Sequence, residues 1–253
     1  MPRIFDLNTL RRRLRIRGAD RTTFLHGQCT NDIKRLRLGD HCYAAFLNPK
    51  GKMRGDGDIV CLEDCFLISS HADLQPTLER YIITEDVTIE DVTAELPEFA
   101  LWDETPPADA IRYDNRLGGW NVIGLRPAGE PLSAEEFERM RIEAGVPLWG
   151  VDLTENVIPI EAGLERWAIS YEKGCYIGQE TIARIRTYGH VNRHLCQLAG
   201  AQPPARDAVT SLVWSPSHNR YLALAYLRRE LAKPGTTVTV GGVSMEVLKL
   251  CGS

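Results

Sequence analysis

Eight consecutive residues, Lys173-Gly174-Cys175-Tyr176-Ile177-Gly178-Gln179-Glu180, bring a thiol, an ammonium and two glycines together. The residues from Gly178 onward read as the start of a helix. Its free N–H groups would point back toward Cys175, and that positive end, with the Lys173 ammonium nearby, favours thiolate over thiol. Three readings of Cys175 compete: a packed core thiol, a metal ligand, or a thiol poised for chemistry. The glycines would allow backbone shapes that a side chain forbids and let a ligand approach the chain closely.

The other cysteines sharpen the question. Cys29, Cys42, Cys61, Cys65, Cys196 and Cys251 bring the total to seven, an odd number with no Cys-x-x-Cys pair. Free thiols are therefore expected, rather than a disulfide framework or a zinc ribbon. His190 and His194 are spaced for one helix face, but Gly189 and Val191 weaken a helix there, so no metal site is expected. No Ser-His-Asp grouping and no phosphate-binding glycine motif can be argued; "GKMRGDG" lacks the Walker spacing.

Short strands and helices must position these groups. In "RRRLRIRG", Leu14 and Ile16 alternate with Arg13, Arg15 and Arg17, which predicts a first strand with a basic outer face rather than an arginine-rich presequence. Asp20 is placed to cap a helix through "RTTFLHGQ". "CYAAFLN", "KMRGDGDIVCL" and "CFLISS" read as strands, and 72–82 as a helix that tolerates Pro76 only in its first turn. "EDVTIEDVT" closes this unit. "FALW" and "WNVIGL" read as strands joined by an exposed connection, "ETPPADAIRYDNRLGG". Ser133 and Glu136 form a capping box that opens a helix stopped by Gly145. From Arg193 the pattern changes to short strands and turns, as in a small antiparallel barrel. The fold class is α+β, with a body over 1–192 and a C-terminal β-barrel domain over 193–253.

Composition bounds the rest. The chain has 253 residues and a formal charge of −4, which argues against a general polyanion binder, so no direct nucleic-acid contact is expected. No apolar run approaches the roughly 20 residues that span a bilayer. With no secretory leader pattern, a reducing compartment is expected: the cytoplasm, or the mitochondrial matrix in a eukaryote.

"KGCYIGQE" with the following "TIARI" resembles the signature of the YgfZ-type folate-binding proteins. That group is related to the aminomethyltransferase (T-protein) of glycine cleavage, and its eukaryotic branch includes the mitochondrial iron–sulfur assembly factor Iba57. "FLHGQCTNDI", "FLNPKGKMRGD", "RMRIEAGVPLWGVDLTENVIPIEAGL" and "VWSPSHNRYLALAYLRRE" extend the resemblance over most of the chain. It implies a body of ferredoxin-like units and a terminal barrel around a central folate pocket, with tetrahydrofolate or a derivative as ligand. It places Glu143 on the pterin edge and Asp56 where an aspartate orients the folate's reactive nitrogens. Asp58, two residues on, shares the strand face of Asp56, and two carboxylates so placed repel and can raise one pKa. Lys173 and Arg184 are placed near the anionic glutamyl tail, with Arg186 a further candidate. Tyr176, Trp149 and Trp167 could wall the ring, although core packing is the commoner use of such residues. The resemblance implies an accessory factor for iron–sulfur assembly or maintenance, supporting [4Fe-4S] and tRNA-modifying enzymes, with Cys175 as the functional thiol. Its partners would be iron–sulfur assembly proteins or client enzymes. The alternative is a folate-dependent one-carbon transferase, which Asp56 and Glu143 favour. A plain interaction module is a third possibility.

Overall fold

In a computed structural model that describes residues 1–252, the chain runs as β1 (Arg3–Asp6), β2 (Arg12–Arg17), α1 (Arg21–Gln28), β3 (His41–Leu47), β4 (Met53–Cys61), β5 (Phe66–Ser70), α2 (Gln75–Glu79), β6 (Thr88–Asp91), β7 (Glu98–Trp102), β8 (Ile111–Asp114), β9 (Trp120–Ile123) and β10 (Glu130–Pro131). Then follow α3 (Ala134–Ala144), α4 (Glu165–Ala168), α5 (Gln179–Tyr188), β11 (Arg193–Gly200), β12 (Ser211–Ser215), β13 (Arg220–Arg228), β14 (Thr237–Val240) and β15 (Val243–Leu250). The strands form three five-stranded sheets, in the orders β3-β4-β5-β2-β6, β10-β1-β7-β9-β8 and β12-β13-β11-β15-β14. The architecture is mixed α/β with few helices. Among the described residues no helix is long and apolar enough to cross a membrane.

Local chemistry sets several elements as expected. Ser133 Oγ accepts from Glu136 N while the Glu136 carboxylate accepts from Ser133 N, the reciprocal box that starts α3, and Gly145 ends it in the left-handed region. The helix near 72–82 is shorter, Gln75–Glu79, and keeps Pro76 in its first turn. α1 forms where Asp20 precedes it, yet Asp20 makes no side-chain cap; its carboxylate accepts from Asp86 N instead.

Two readings need correction. The face of β2 that carries Arg13, Arg15 and Arg17 is not simply solvated. Arg13 is fully buried and donates to the carbonyls of Arg11, Thr93 and Leu96, while Arg15 and Arg17 pair with Glu90, Glu95 and Asp64. A buried guanidinium is tolerable only because its N–H groups find these carbonyls. The segment "ETPPADAIRYDNRLGG" is not a plain exposed connection either. It contains β8, which pairs antiparallel with β9 and buries Tyr113. Its Asn115 side-chain oxygen accepts from Leu117 N and Gly119 N, a compact turn that presents Arg116 inward.

The main core joins β3 and the start of β4 to the segment around α4, α5 and the sheet of β11 to β15, through Tyr43, Met53, Ile142, Leu164, Tyr176, Ile182, Leu195 and Leu224 among others. A second core fills the space beneath α1 with Leu14, Ile16, Phe24, Leu25, Phe46 and Ile68. The main core joins the first and third sheets, and a smaller cluster of Val60, Leu67, Tyr113 and Ile123 joins the first and second, so polar residues at these junctions are held by several elements at once.

Candidate functional site

A small cleft, about 60 Å3 in volume, opens where the two N-terminal sheets meet α3. β4 supplies Asp56 and Asp58 to its wall. The chain before β2 supplies Arg11, the end of β5 supplies His71, the β8–β9 turn supplies Arg116, and the segment after α3 supplies Trp149. Sites that enclose a whole drug-sized ligand run to roughly 300–1,000 Å3, so this cleft would enclose only part of one.

The two carboxylates on β4 behave differently. Asp56 is 5% exposed, and its pKa is raised mainly because burial penalises the charged form. The hydroxyl of Tyr43, which donates to Asp56 Oδ2, and the nearby cations of Arg116 and Arg11 offset part of that rise. Repulsion from Asp58 contributes least, so the paired-acid argument gives the right direction with the wrong leading cause. Burial also pushes Asp58 up, but Arg11, His41 and Arg116 overcome it and hold this carboxyl well below the usual range. Arg11 Nη2 is 2.6 Å from Asp58 Oδ2, and Arg11 also faces Glu98. Glu98 in turn accepts from Tyr113 at 2.7 Å, from Asn121 at 2.9 Å and from Ser69. His71 donates from Nδ1 to Leu10 O at 2.9 Å, and burial beside Arg11 lowers its pKa to about 3, so it stands neutral in the cleft wall.

Arg116 is the residue that sequence reading passed over. Its guanidinium carbon lies 3.6 Å from the centroid of the Tyr43 ring and 6.0 Å from that of Trp167. The signal was present in "NRLGG": an Asn that builds its own turn and two glycines fix a short loop around one arginine. What the sequence lacks is any hint that this loop folds inward.

The residues expected to share one site with Asp56 are distributed. Glu143 lies on α3 and accepts from Ser215 at 2.5 Å and from Ser217 at 3.1 Å, facing the β12–β13 hairpin rather than the cleft. Lys173 is buried. Its ammonium donates to the carbonyls of His26 at 2.5 Å and Cys29 at 2.6 Å and sits 4.8 Å from the Tyr176 ring centroid, so its donors are turned toward α1. Tyr176 packs in the main core. Arg184 is exposed on α5, beside Tyr188 and His190. Arg186 stacks over Tyr171. Of the three aromatic candidates, Trp149 is the one in the cleft wall.

Within the motif, Gly178 is the glycine that the fold requires. It caps α5 with φ +82°, and a Cβ there would lie 2.6 Å from Asn48 O and 3.1 Å from Gly51 Cα. The start of α5 packs backbone to backbone against the turn after β3, and Thr181 Oγ1 donates to Lys50 O at 3.1 Å. Gly174 has no such constraint, since a Cβ would meet only His26 Nε2 at 3.8 Å. Gly178→Ala is therefore expected to cost about 2 kcal/mol or more, from strain and displaced backbone, and Gly174→Ala less than about 0.5 kcal/mol. Urea unfolding of both variants checks this, and equal midpoints would refute it.

Cys175 is exposed; Cys29, Cys65, Cys196 and Cys251 are buried, and Cys42 and Cys61 are partly so. Burial raises the thiol pKa of these six, Cys65 and Cys196 to about 11. The sulfur is open as expected, yet it is not part of the cleft wall. Brief iodoacetamide treatment of the folded protein is expected to label Cys175 first and the buried thiols only on unfolding. Peptide mass spectrometry reads the order, and early labelling of Cys29 or Cys251 would contradict it.

Residues 3–104 match the family model of the GCVT N-terminal domain. The chain is 28% identical to a putative chloroplastic transferase of Arabidopsis thaliana over 90% of its length and 66% of that protein. It is also 28% identical to the tRNA-modifying protein YgfZ of Enterobacter sp. (73% of this chain, 68% of that protein) and to the mouse mitochondrial iron–sulfur cluster assembly factor IBA57 (87% and 76%). The crystal structure of the glycine cleavage system aminomethyltransferase T from Bartonella henselae superposes with a TM-score of 0.82 at 20% identity, over 100% of this chain and 86% of that one. The fold is thus GcvT-like, and the resemblance to YgfZ and IBA57 proteins holds. The matched domain contains β1 to β7, including Asp56, Asp58, Arg11 and His71; Arg116, Glu143 and Cys175 lie outside it.

Proposed function

We propose that the protein is a folate-binding accessory factor for iron–sulfur cluster assembly or maintenance, with tetrahydrofolate or a derivative held in the cleft of Asp56 and Cys175 acting on a partner. The observation that carries the reading is Asp56 itself. A carboxylate this deeply buried, with one oxygen lacking a protein partner, costs folding energy that a bound N–H donor would offset. The relatives named for iron–sulfur assembly and tRNA modification support the accessory role, and the open thiol of Cys175 suits transfer to or from a second protein. The partners are iron–sulfur assembly proteins or their client enzymes. Separation of the thiol from the cleft favours a thiol that meets a partner surface over one that attacks the folate. We further read the sheet of β11 to β15 as a C-terminal barrel-type domain over 193–253 beside a body over 1–192.

A one-carbon transferase is the second reading. It is favoured by the likeness in fold to an aminomethyltransferase and by the position of Asp56. Calorimetry with tetrahydrofolate, paired with complementation of a strain lacking its own YgfZ, separates the two. Cys175→Ala is expected to keep folate binding and lose complementation; methylene transfer that survives Cys175→Ala would favour the enzyme. Asp56→Asn is expected to weaken tetrahydrofolate binding by about 1.5–3 kcal/mol, the scale of a charged hydrogen bond. The same change is expected to leave thermal stability equal or higher. A carboxyl whose folded pKa is raised destabilises the fold once it ionises, and this variant removes the ionisation. Loss of binding together with a large loss of stability would make Asp56 a structural residue instead.

A further inference from the structure

Among the described residues, the buried side-chain polar atoms without a hydrogen-bond partner are Arg11 Nε, His26 Nδ1, Asp56 Oδ1 and Arg116 Nη1. His26 Nδ1 lies 3.4 Å from the Asp32 carboxylate, so it has an ionic neighbour. The other three residues all line the one cleft. Unpaired buried polar atoms are rare in folded proteins, and three around one cavity mark a place where water or a ligand would supply the partners.

Their chemistry narrows what such a ligand can be. Arg11 Nε and Arg116 Nη1 can only donate, and Asp56 Oδ1, when ionised, can only accept. A ligand that pairs with all three therefore offers acceptor lone pairs beside an N–H or O–H donor. Charge narrows it further. Arg11 faces two carboxylates, Asp58 and Glu98, and Arg141 faces two more, Asp152 and Glu138. Arg116 and Asp56 remain, of opposite sign and sharing one cavity. Carboxylates outnumber the arginines here, so the cleft holds no surplus positive charge and the part of a ligand buried in it is not anionic. Arg116 is also held without directional bonds: its guanidinium stacks on Tyr43, whose hydroxyl grips Asp56. It can therefore turn its donors to a ligand without breaking a hydrogen bond to the protein.

We infer that Arg116, supported by Arg11, is a specificity-determining residue that donates to a ring carbonyl of a neutral heterocycle whose adjacent N–H groups face Asp56. This inference rests on the folate reading above and deepens it. A pterin bearing a 4-oxo group presents that pairing of acceptor and donors, and a 4-amino pterin does not. The 4-amino ring would set a donor against two donors, and a site built to bond one polar group rejects its replacement strongly.

Isothermal titration of the full chain with folic acid and with aminopterin, which differ at the 4-position alone, tests the inference. The wild type is expected to bind folic acid at least roughly tenfold tighter than aminopterin. In Arg116→Met that ratio is expected to fall toward one, with the loss on the folic acid side. Arg116→Lys keeps the cation without the forked donors and is expected to fall between the two. It decides the matter if the methionine variant fails to fold. Equal or tighter binding of aminopterin by the wild type, or a ratio unchanged in the Arg116 variants, overturns the inference and leaves folate binding standing. If the wild type binds neither compound nor tetrahydrofolate, the folate reading falls, and this inference falls with it.

Discussion

Arg11→Met is expected to destabilise the protein by about 3–5 kcal/mol at neutral pH, because it strands two carboxylates in a dry junction. The side chains of Asp58 and Glu98 are 8% and 0% exposed, and Arg11 is the cation between them, 2.6 Å from one and 3.4 Å from the other. It also donates to Ser69 O at 2.6 Å. Methionine fills much of the volume but supplies none of these donors. The pH dependence identifies the cause. In the wild type, Asp58 has a folded pKa below its unfolded value, so its stabilisation is complete above about pH 4 and is lost as pH falls through the folded value. In the variant, the largest of the groups that hold Asp58 down is gone, and protonation relieves a poorly compensated charge. The gap between the two proteins should therefore narrow as the pH is taken below about 4. Urea unfolding at pH 7 and near pH 3 measures it. A gap that is constant or widens on acidification would mean that lost packing, not the stranded carboxylates, causes the effect. The expected loss also bears on function, since Arg11 lines the cleft and its Nε is one of the donors assigned to the ligand.

The sequence made visible what local chemistry decides. The Ser133–Glu136 box, the stop at Gly145, Pro76 in a first turn and a helix beginning after Gly178 are all set by residues within a few positions of one another. The hairpin of β4 and β5 and the strand-only tail were legible for the same reason. What stayed hidden depends on partners far along the chain. Arg13 reads as an outward arginine by alternation, and it is buried because carbonyls at 93 and 96 reach it. β8 lies in a stretch rich in proline and glycine, and it exists because β9 pairs with it and Glu98 accepts from Tyr113. The candidate site shows the same division. Asp56 and the open Cys175 could be singled out from motif and spacing. That they occupy different regions could not, nor that Lys173 turns its donors toward α1, because strand pairing and helix packing settle those directions.

Arg141→Met is the second large expected effect, again about 3–5 kcal/mol, and it separates two neighbours that a sequence motif treats as one unit. Arg141 and Glu143 both belong to Arg-Ile-Glu-Ala-Gly on α3, but Arg141 is 2% exposed and works as an internal bolt. Its guanidinium is 2.7 Å from Asp152 Oδ2, 2.7 Å from Ser211 Oγ on β12 and 2.9 Å from Val146 O, tying the end of α3 to the loop beyond it and to the third sheet. Asp152 is fully buried, and its remaining lone pairs take Leu148 N, Thr210 and Ser211. Removing the arginine leaves that carboxylate with neutral donors and no cation. Removing the charge as well should recover part of the loss, so Arg141→Met/Asp152→Leu is expected to be more stable than Arg141→Met alone. Unfolding free energies of the two single variants and the double variant close the cycle. Strict additivity would show that the pair is not coupled and that α3 is held by packing. The consequence reaches the ligand because Val146, Pro147, Leu148 and Trp149, the residues that Arg141 and Asp152 hold in place, form one wall of the cleft. A loosened wall must be re-ordered when a ring is bound, so Arg141→Met should weaken folic acid and aminopterin by the same factor. Arg116→Met, which alters a donor rather than the wall, should change their ratio.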